Sequence, residues 1–260
     1  MTTELWTLAL FCRVDDTLRM EKHPQAVLYP SEITTLALLY AIKGRGQRAF
    51  YRWLVQNLGH LFPQLPERTR LFRLFRTHRF WAEHFLAKAT TLGVIDSYGI
   101  EFIHPWREGR TPNQIGKKGL SNHRWIVGGK LCLLLNQWGL VVDWDLGTAN
   151  EHDTVFQPLI ARWKEKMIVL ADGNFHARAG DPPNLKLCAR GEWNVRMLVE
   201  TVLSMLTVCW QFKRMPHREW DYFEMHLAFA LAAFNLLAAW EGLQPDENGF
   251  IPLSIAQLTL

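Results

Sequence analysis

Cysteine is scarce and scattered in this chain. The 260 residues include four, Cys12, Cys132, Cys188 and Cys209, and no two form a CxxC pair. This spacing argues against a zinc site and offers no framework for a disulfide scaffold. A reducing cytoplasm is the matching compartment. Cys132 lies in an apolar run and is expected as a small core residue. A dominant charge is also missing. Lys and Arg number 29 against 25 Asp and Glu, a net charge of +4, so the overall balance selects no partner. Repeats and low-complexity tracts are absent. Leu5 to Phe11 is too short for a signal peptide and lacks its basic flank and cleavage site. The longest apolar run, Leu227 to Trp240, is short for a bilayer span and contains Asn235. A buried helix, not a membrane segment, is expected there.

About half of the residues are hydrophobic, at 48%, with 12 Trp and 15 Phe. That supplies a sizeable core for one large domain or two small ones, with the bulky aromatics expected mainly inside it. Basic charge is concentrated early. Lys43, Arg45, Arg48, Arg52, Arg68, Arg70, Arg73, Arg76 and Arg79 occur with Glu67 as the only acid of the span. Tyr51, Trp53, Phe72 and Phe75 are interleaved with them. Helices with one apolar face and one face meeting DNA phosphates fit this pattern; a merely solvated charged face is the competing reading.

The periodicity predicts a mainly helical region over 1–90. Pro30-Ser31-Glu32 starts a helix carrying Ile33, Leu36, Leu39 and Tyr40, and Gly44-Arg45-Gly46 ends it. Phe50, Trp53, Leu54 and Leu58 continue at helical spacing, Pro63 to Glu67 is a turn, and Arg68 to Leu86 is again helical. The pattern changes at Thr91. Leu92 to Ile103 reads as a strand or hairpin, and Pro105 to Asn122 as a polar loop. Trp125 to Asn136 reads as a strand broken at Gly128-Gly129, then comes a turn at Gln137-Trp138-Gly139 and a second strand to Leu146. Asp153 is expected to cap a helix running to about Lys164. Met167 to Ala171 is the next strand, and Glu192 to Phe212 and Asp221 to Trp240 are helices. The order predicts a mixed α/β fold.

Three acids stand out. Asp96 follows Leu92-Gly93-Val94-Ile95, Asp172 follows Met167-Ile168-Val169-Leu170-Ala171, and Glu200 lies in a helical stretch. An acid at the end of a buried strand is costly unless it is paired or holds a cation. Individually, each has a plain alternative. Asp96-Ser97 and Asp172-Gly173 can close strands as turns, and Glu200 can pair with Arg196 four residues earlier. Asp143 and Asp145 fit structural or solvent-facing roles. His123, His152 and His176 lack metal-ligand spacing, although His176 is close enough in sequence to Asp172 to line its surroundings.

Taken together, Val94-Ile95-Asp96-Ser97, Val169 to Phe175 and Val199-Glu200-Thr201-Val202-Leu203-Ser204 resemble the DDE transposases of bacterial insertion sequences. Trp193, Arg196 and Glu200 match the spacing of a Tyr-x2-Arg-x3-Glu-x6-Lys motif, with Trp for Tyr and Thr207 at the Lys position. Lys213 and Arg214 come later and could substitute. Asp172-Gly173-Asn174-Phe175 replaces the usual Asp-Lys-Gly-Tyr. The resemblance covers about Leu92 to Asn235. It implies an RNase H-like mixed sheet with flanking helices, a catalytic domain over 91–260, and a helical DNA-binding region over 1–90.

It also implies Asp96, Asp172 and Glu200 as metal ligands for Mg2+, or Mn2+ in its place. Asp96 would bridge two ions, with Asp172 on one and Glu200 on the other, in phosphodiester cleavage and strand transfer. Double-stranded DNA, the element's terminal inverted repeats and target DNA would be its partners, and a homodimer would join two ends. Lys43, Arg45, Arg48 and Arg52 would meet DNA from the helical region. Lys117, Lys118, Lys130, Arg196, Lys213 and Arg214 would meet it nearer the acids. Another RNase H-like nuclease, or a DNA-binding protein without catalysis, remains an open alternative.

Overall fold

In the computed structural model the described residues are 2–44, 46–121, 123–189, 197–210, 212, 215 and 217–240. Arg45, Arg196, Lys213 and Arg214 lie outside them. The chain divides into two compact units, Met1–Phe85 with Glu224–Phe234, and Leu86–Phe223 with Asn235–Leu260.

The first unit is helical: α1 (Thr3–Leu18), α2 (Pro30–Lys43), α3 (Gln47–Leu58) and α4 (Arg68–Thr77). Pro30 occupies the first turn of α2, where its missing N–H costs nothing. The Glu32 carboxylate accepts the backbone N–H of Tyr29 at 2.7 Å, so the helix start has a partner. Gly44 ends α2 at φ +57°, a left-handed conformation that suits glycine. Helical spacing buries Phe50, Leu54 and Leu58 of α3 and Leu71, Phe72 and Phe75 of α4. Tyr40 meets Phe72 edge-on at 4.8 Å and Phe50 at 5.3 Å, a geometry that suits the ring quadrupoles. The helix expected over Arg68 to Leu86 stops at Thr77, and Arg79–Phe85 winds more tightly as 3₁₀.

The second unit holds β1 (Leu92–Ile103), β2 (Lys117–Ser121), β3 (Arg124–Asn136), β4 (Val141–Thr148), α5 (Gln157–Ala161), β5 (Ile168–Ala171), β6 (Leu185–Leu187) and α6 (Met197–Trp210). The last helix, α7 (Trp220–Trp240), contributes residues to both units. β4, β3 and β1 are antiparallel neighbours, while β5 and then β6 continue parallel to β1. This is the RNase H-like strand arrangement, in a mixed sheet with flanking helices. β2 is an addition that pairs with the first residues of β3, from Arg124 to Gly128, while β4 takes Gly129 to Leu135.

Four sequence readings change. Gly128-Gly129 does not break β3; a side chain at Gly128 would run into the Ile100 carbonyl, so glycine is what permits close pairing with β1. The polar stretch expected as a loop contains β2, and β6 appears where no strand was expected. The helix expected from Asp153 is a 3₁₀ turn, Asp153–Phe156, followed by the short α5, and its N-cap is His152.

One side of the sheet packs Ile95, Cys132, Leu134, Val169 and Ala171 against Phe156, Leu159 and Ile160. The other side meets α6 at β1. With 21 residues, α7 is long and apolar enough to cross a membrane. Length therefore does not exclude a span, as the apolar run alone implied; the helix is nonetheless mostly buried within the protein. Its buried Asn235 meets both backbone groups of Val141: Nδ2 donates to the Val141 carbonyl at 2.7 Å, and Oδ1 accepts the Val141 N–H at 2.9 Å. Asn235→Leu should strand both backbone groups, at about 1–3 kcal/mol each, and urea denaturation would read the loss.

Candidate active site

Strand alternation decides which side chains share a face. Ile95 points into the α5-side core, so Asp96 points the other way, towards α6. Parallel pairing of β1 and β5 runs Leu92 to Ile168, Gly93 to Val169 and Val94 to Leu170. Two residues past the last of these pairs, one chain reaches Asp96 and the other Asp172. Ala171 belongs to the α5-side core and Asp172 is still extended, at φ −82° and ψ 176°. The two aspartates thus stand at corresponding positions on neighbouring strands, which lie about 4.8 Å apart in such a sheet.

Asp96 shares a cleft of about 440 Å³ with Ser97, Tyr98, Glu200, Leu203, Ser204 and Thr207. Glu200, Ser204 and Thr207 recur at helical spacing and give α6 a polar stripe, while Val199, Val202 and Leu206 are buried. Thr207, at the motif's Lys position, has its hydroxyl 3.4 Å from the Tyr98 hydroxyl. Ser204 and Thr207 were signalled as cleft residues by their helical spacing from Glu200, whereas Tyr98, on β1, had no such signal. Asp172 does not line this cleft. Its carboxylate accepts the backbone N–H of Asn174 at 3.0 Å and the Asn174 side-chain amide at 3.1 Å. Among the described residues, no three His, Cys, Asp or Glu side chains are grouped to hold a metal ion. The structure therefore brings Asp96 and Glu200 to one cleft and leaves Asp172 at the end of the adjacent strand, engaged by its own turn.

Behind Asp96 lies a buried polar cluster. The Ser97 hydroxyl donates to Asp153 Oδ1 at 2.6 Å, and Lys130 Nζ donates to the same oxygen at 2.9 Å and to the Glu151 carbonyl. The Lys130 and Asp153 side chains are only 15% and 12% exposed. Lys130, expected at DNA, is instead turned inward as the partner of a nearly buried carboxylate. Asp153, expected as a cap, anchors β1 and β3 to the turn before α5. Burial pushes the Cys132 thiol well up, helped by the carboxylates of Asp153, Asp96 and Asp145 and opposed by Lys130.

Asp143 is structural: it accepts the Trp163 indole N–H at 3.0 Å and pairs with Arg162 at 3.3 Å. His176 sits 2.8 Å from Asp181. The Asp181 carboxyl is held low, first by the backbone N–H of Ala177 and then by His176.

Of the expected DNA-binding residues, Arg48 and Arg52 on α3 and Lys117 and Lys118 on β2 are exposed. Arg70 and Arg73 on α4 are exposed as well. Lys43 is half-buried, with Nζ 4.5 Å from the Trp53 ring centroid, and burial lowers its pKa.

The sequence matches no protein-family model and no curated protein. Among solved structures it is similar to a pre-cleavage Mos1 transpososome, at 15% identity over 84% of this chain and 80% of that one, with a TM-score of 0.25. It is also similar to a Mos1 transposase paired-end complex with the left transposon end, at 16% identity over 88% and 75%, with a TM-score of 0.21. At these scores neither likeness bears on the chemistry.

Replacing Lys130 with Met should leave the Asp153 charge unpartnered and cost about 3 kcal/mol. Adding Asp153→Leu should recover part of that loss. Urea midpoints of the single and double variants would measure both.

Proposed function

We propose that this chain is a DDE-type DNA transposase, which cleaves at the ends of an insertion sequence and joins them to target DNA. The observation that carries the reading is the pair Asp96, within β1, and Asp172, directly after its parallel neighbour β5 in an RNase H-like sheet, with Glu200 on the helix that shares a cleft with Asp96. Carboxylate oxygens at such a site suit Mg2+ or Mn2+. Asp96, Asp172 and Glu200 would hold the metal, with DNA phosphates completing the shell. Exposed Glu200 can turn towards Asp96, and Asp172 must give up its hydrogen bonds to Asn174 to join them. The bound metal would activate the attacking hydroxyl and stabilise the leaving oxygen. The remaining work falls to protein groups: Ser97, Lys130 and Asp153 hold the β1 backbone behind Asp96, and the Tyr98 and Thr207 hydroxyls offer hydrogen bonds to DNA entering the cleft.

The helical unit would hold duplex DNA through the exposed arginines of α3 and α4, with Lys43 and Arg45 as further candidates, and Lys117, Lys118, Arg196, Lys213 and Arg214 would meet it nearer the acids. Binding through phosphates positions DNA without reading its sequence. Terminal inverted repeats as substrate, a homodimer joining two ends, and a cytoplasmic location complete the proposal. A second reading, a DNA-binding protein without catalysis, is favoured by the lack of a grouped acid triad among the described residues.

Nicking of supercoiled plasmid with Mg2+ or Mn2+ separates the two. Asp96→Asn, Asp172→Asn and Glu200→Gln should each bring nicking to the metal-free background and weaken Mn2+ binding. Wild-type protein that binds DNA but never nicks it would select the second reading, and full activity in Asp172→Asn would reject the assignment of that residue. Charge reversal of Arg48 and Arg52 should weaken duplex binding and reduce the salt slope by about 1 for each phosphate no longer neutralised. An unchanged slope would remove this face from the interface.

A further inference from the structure

Two large aromatics stand in water, Trp106 in the turn after β1 and Trp125 at the start of β3. Trp106 is 82% exposed and Trp125 57%, contrary to the expectation that the aromatics serve the core. They line an open cleft of about 740 Å³ with Glu101, His104, Lys118 and Arg124. Trp106 sits in a one-turn 3₁₀ helix, Pro105–Arg107, whose N-cap His104 accepts the Trp106 N–H at 3.4 Å. Lys118 Nζ is 5.7 Å from the Trp125 ring centroid and 3.5 Å from Glu108. Arg124 is exposed and reaches the buried Glu101 at 3.2 Å.

The chemistry of this cleft has a definite complement. From Glu101 to Trp125 the chain carries Arg107, Arg110, Lys117, Lys118 and Arg124 against Glu101 and Glu108, an excess of cations that suits an anionic partner. Its rings are flat, exposed and flanked by cations. A base inside a duplex offers no free face to such rings, whereas a base in an unpaired strand does, and base–aromatic stacking tolerates any sequence. An acidic peptide would satisfy the cations but would leave the two indole faces without a matching plane.

We propose that the Trp106–Trp125 cleft binds an unpaired stretch of DNA, with bases stacked on the two indoles and phosphates met by Lys118 and Arg124. This rests on the DNA-acting reading and adds to it the form of DNA engaged outside the acid-lined cleft. The unpaired strand comes from a terminus or from a locally opened duplex.

The test uses the full chain in EDTA, so that cleavage plays no part. Fluorescence anisotropy compares a labelled blunt duplex with the same duplex bearing a ten-nucleotide unpaired thymidine tail. Wild-type protein should bind the tailed duplex more tightly. Trp106→Ala with Trp125→Ala should weaken tailed binding about 10-fold and leave blunt binding unchanged, and Trp106→Phe should retain most of the preference. If the double variant unfolds, Trp106→Ala alone carries the test, since that side chain is almost wholly in solvent. Wild-type protein indifferent to the tail, or variants that weaken both duplexes equally or neither, would overturn the proposal and leave the DNA-acting reading standing. Wild-type protein that binds neither duplex would overturn both.

Discussion

The parallel pairing of β1 with β5 is the constraint on which the candidate site depends. It joins Leu92–Val94 to Ile168–Leu170 in the middle of the sheet. A parallel pair needs a crossover connection, and here the intervening chain forms β2, β3, β4 and α5 before returning as β5. Side chains alternate in strict twos along both strands, so a slip of one residue would send Asp96 or Asp172 into the α5-side core. The register holds because Ile95, Val169 and Ala171 are buried together on that side. Apolar packing on one face thus fixes carboxylates on the other.

The same face supplies a second layer of support. Ser97, Lys130 and Asp153 come from three separated segments and meet within hydrogen-bond distance. A nearly buried lysine–aspartate pair contributes little net stability compared with an apolar substitute, but it penalises any arrangement in which only one partner is present. It therefore favours a single placement of the turn before α5 relative to β1 and β3. The Asn235 side chain acts similarly at Val141, meeting both polar groups of one backbone residue.

Much of this architecture was legible in the sequence, for identifiable reasons. Apolar runs ending in Asp96 and Asp172 predicted strands, and Glu200 falls in a helix as the spacing of its apolar neighbours required. The hairpin at Gln137-Trp138-Gly139 follows from turn chemistry, with Asn136 accepting the N–H groups of Trp138 and Leu140. β2 was not legible, because Lys117-Lys118-Gly119-Leu120-Ser121 has no apolar alternation and becomes a strand only by pairing with β3. The three residues of β6 are too few to show a period. The inward turn of Lys130 depends on Asp153, 23 residues away, and no local pattern reports that. Trp106 and Trp125 were hidden by composition, since abundant aromatics ordinarily mean core. The strand, strand-end and helix positions of the three acids were readable; the engagement of Asp172 with Asn174, away from the cleft of Asp96 and Glu200, was not, because any Asp-x-Asn sequence permits it without requiring it.

β1 is unusually continuous, 12 residues without an interrupting turn. Asp96 lines one cleft and Glu101, on the same strand, lines the other. Five residues of extended chain separate them by about 17 Å, close to the rise of about five nucleotides along one strand of a duplex. The strand is thus a ruler. It sets a distance that pairing with β3 keeps nearly inextensible, and the odd spacing turns the two carboxylates to opposite faces of the sheet, so the ruler spaces two sites across the sheet.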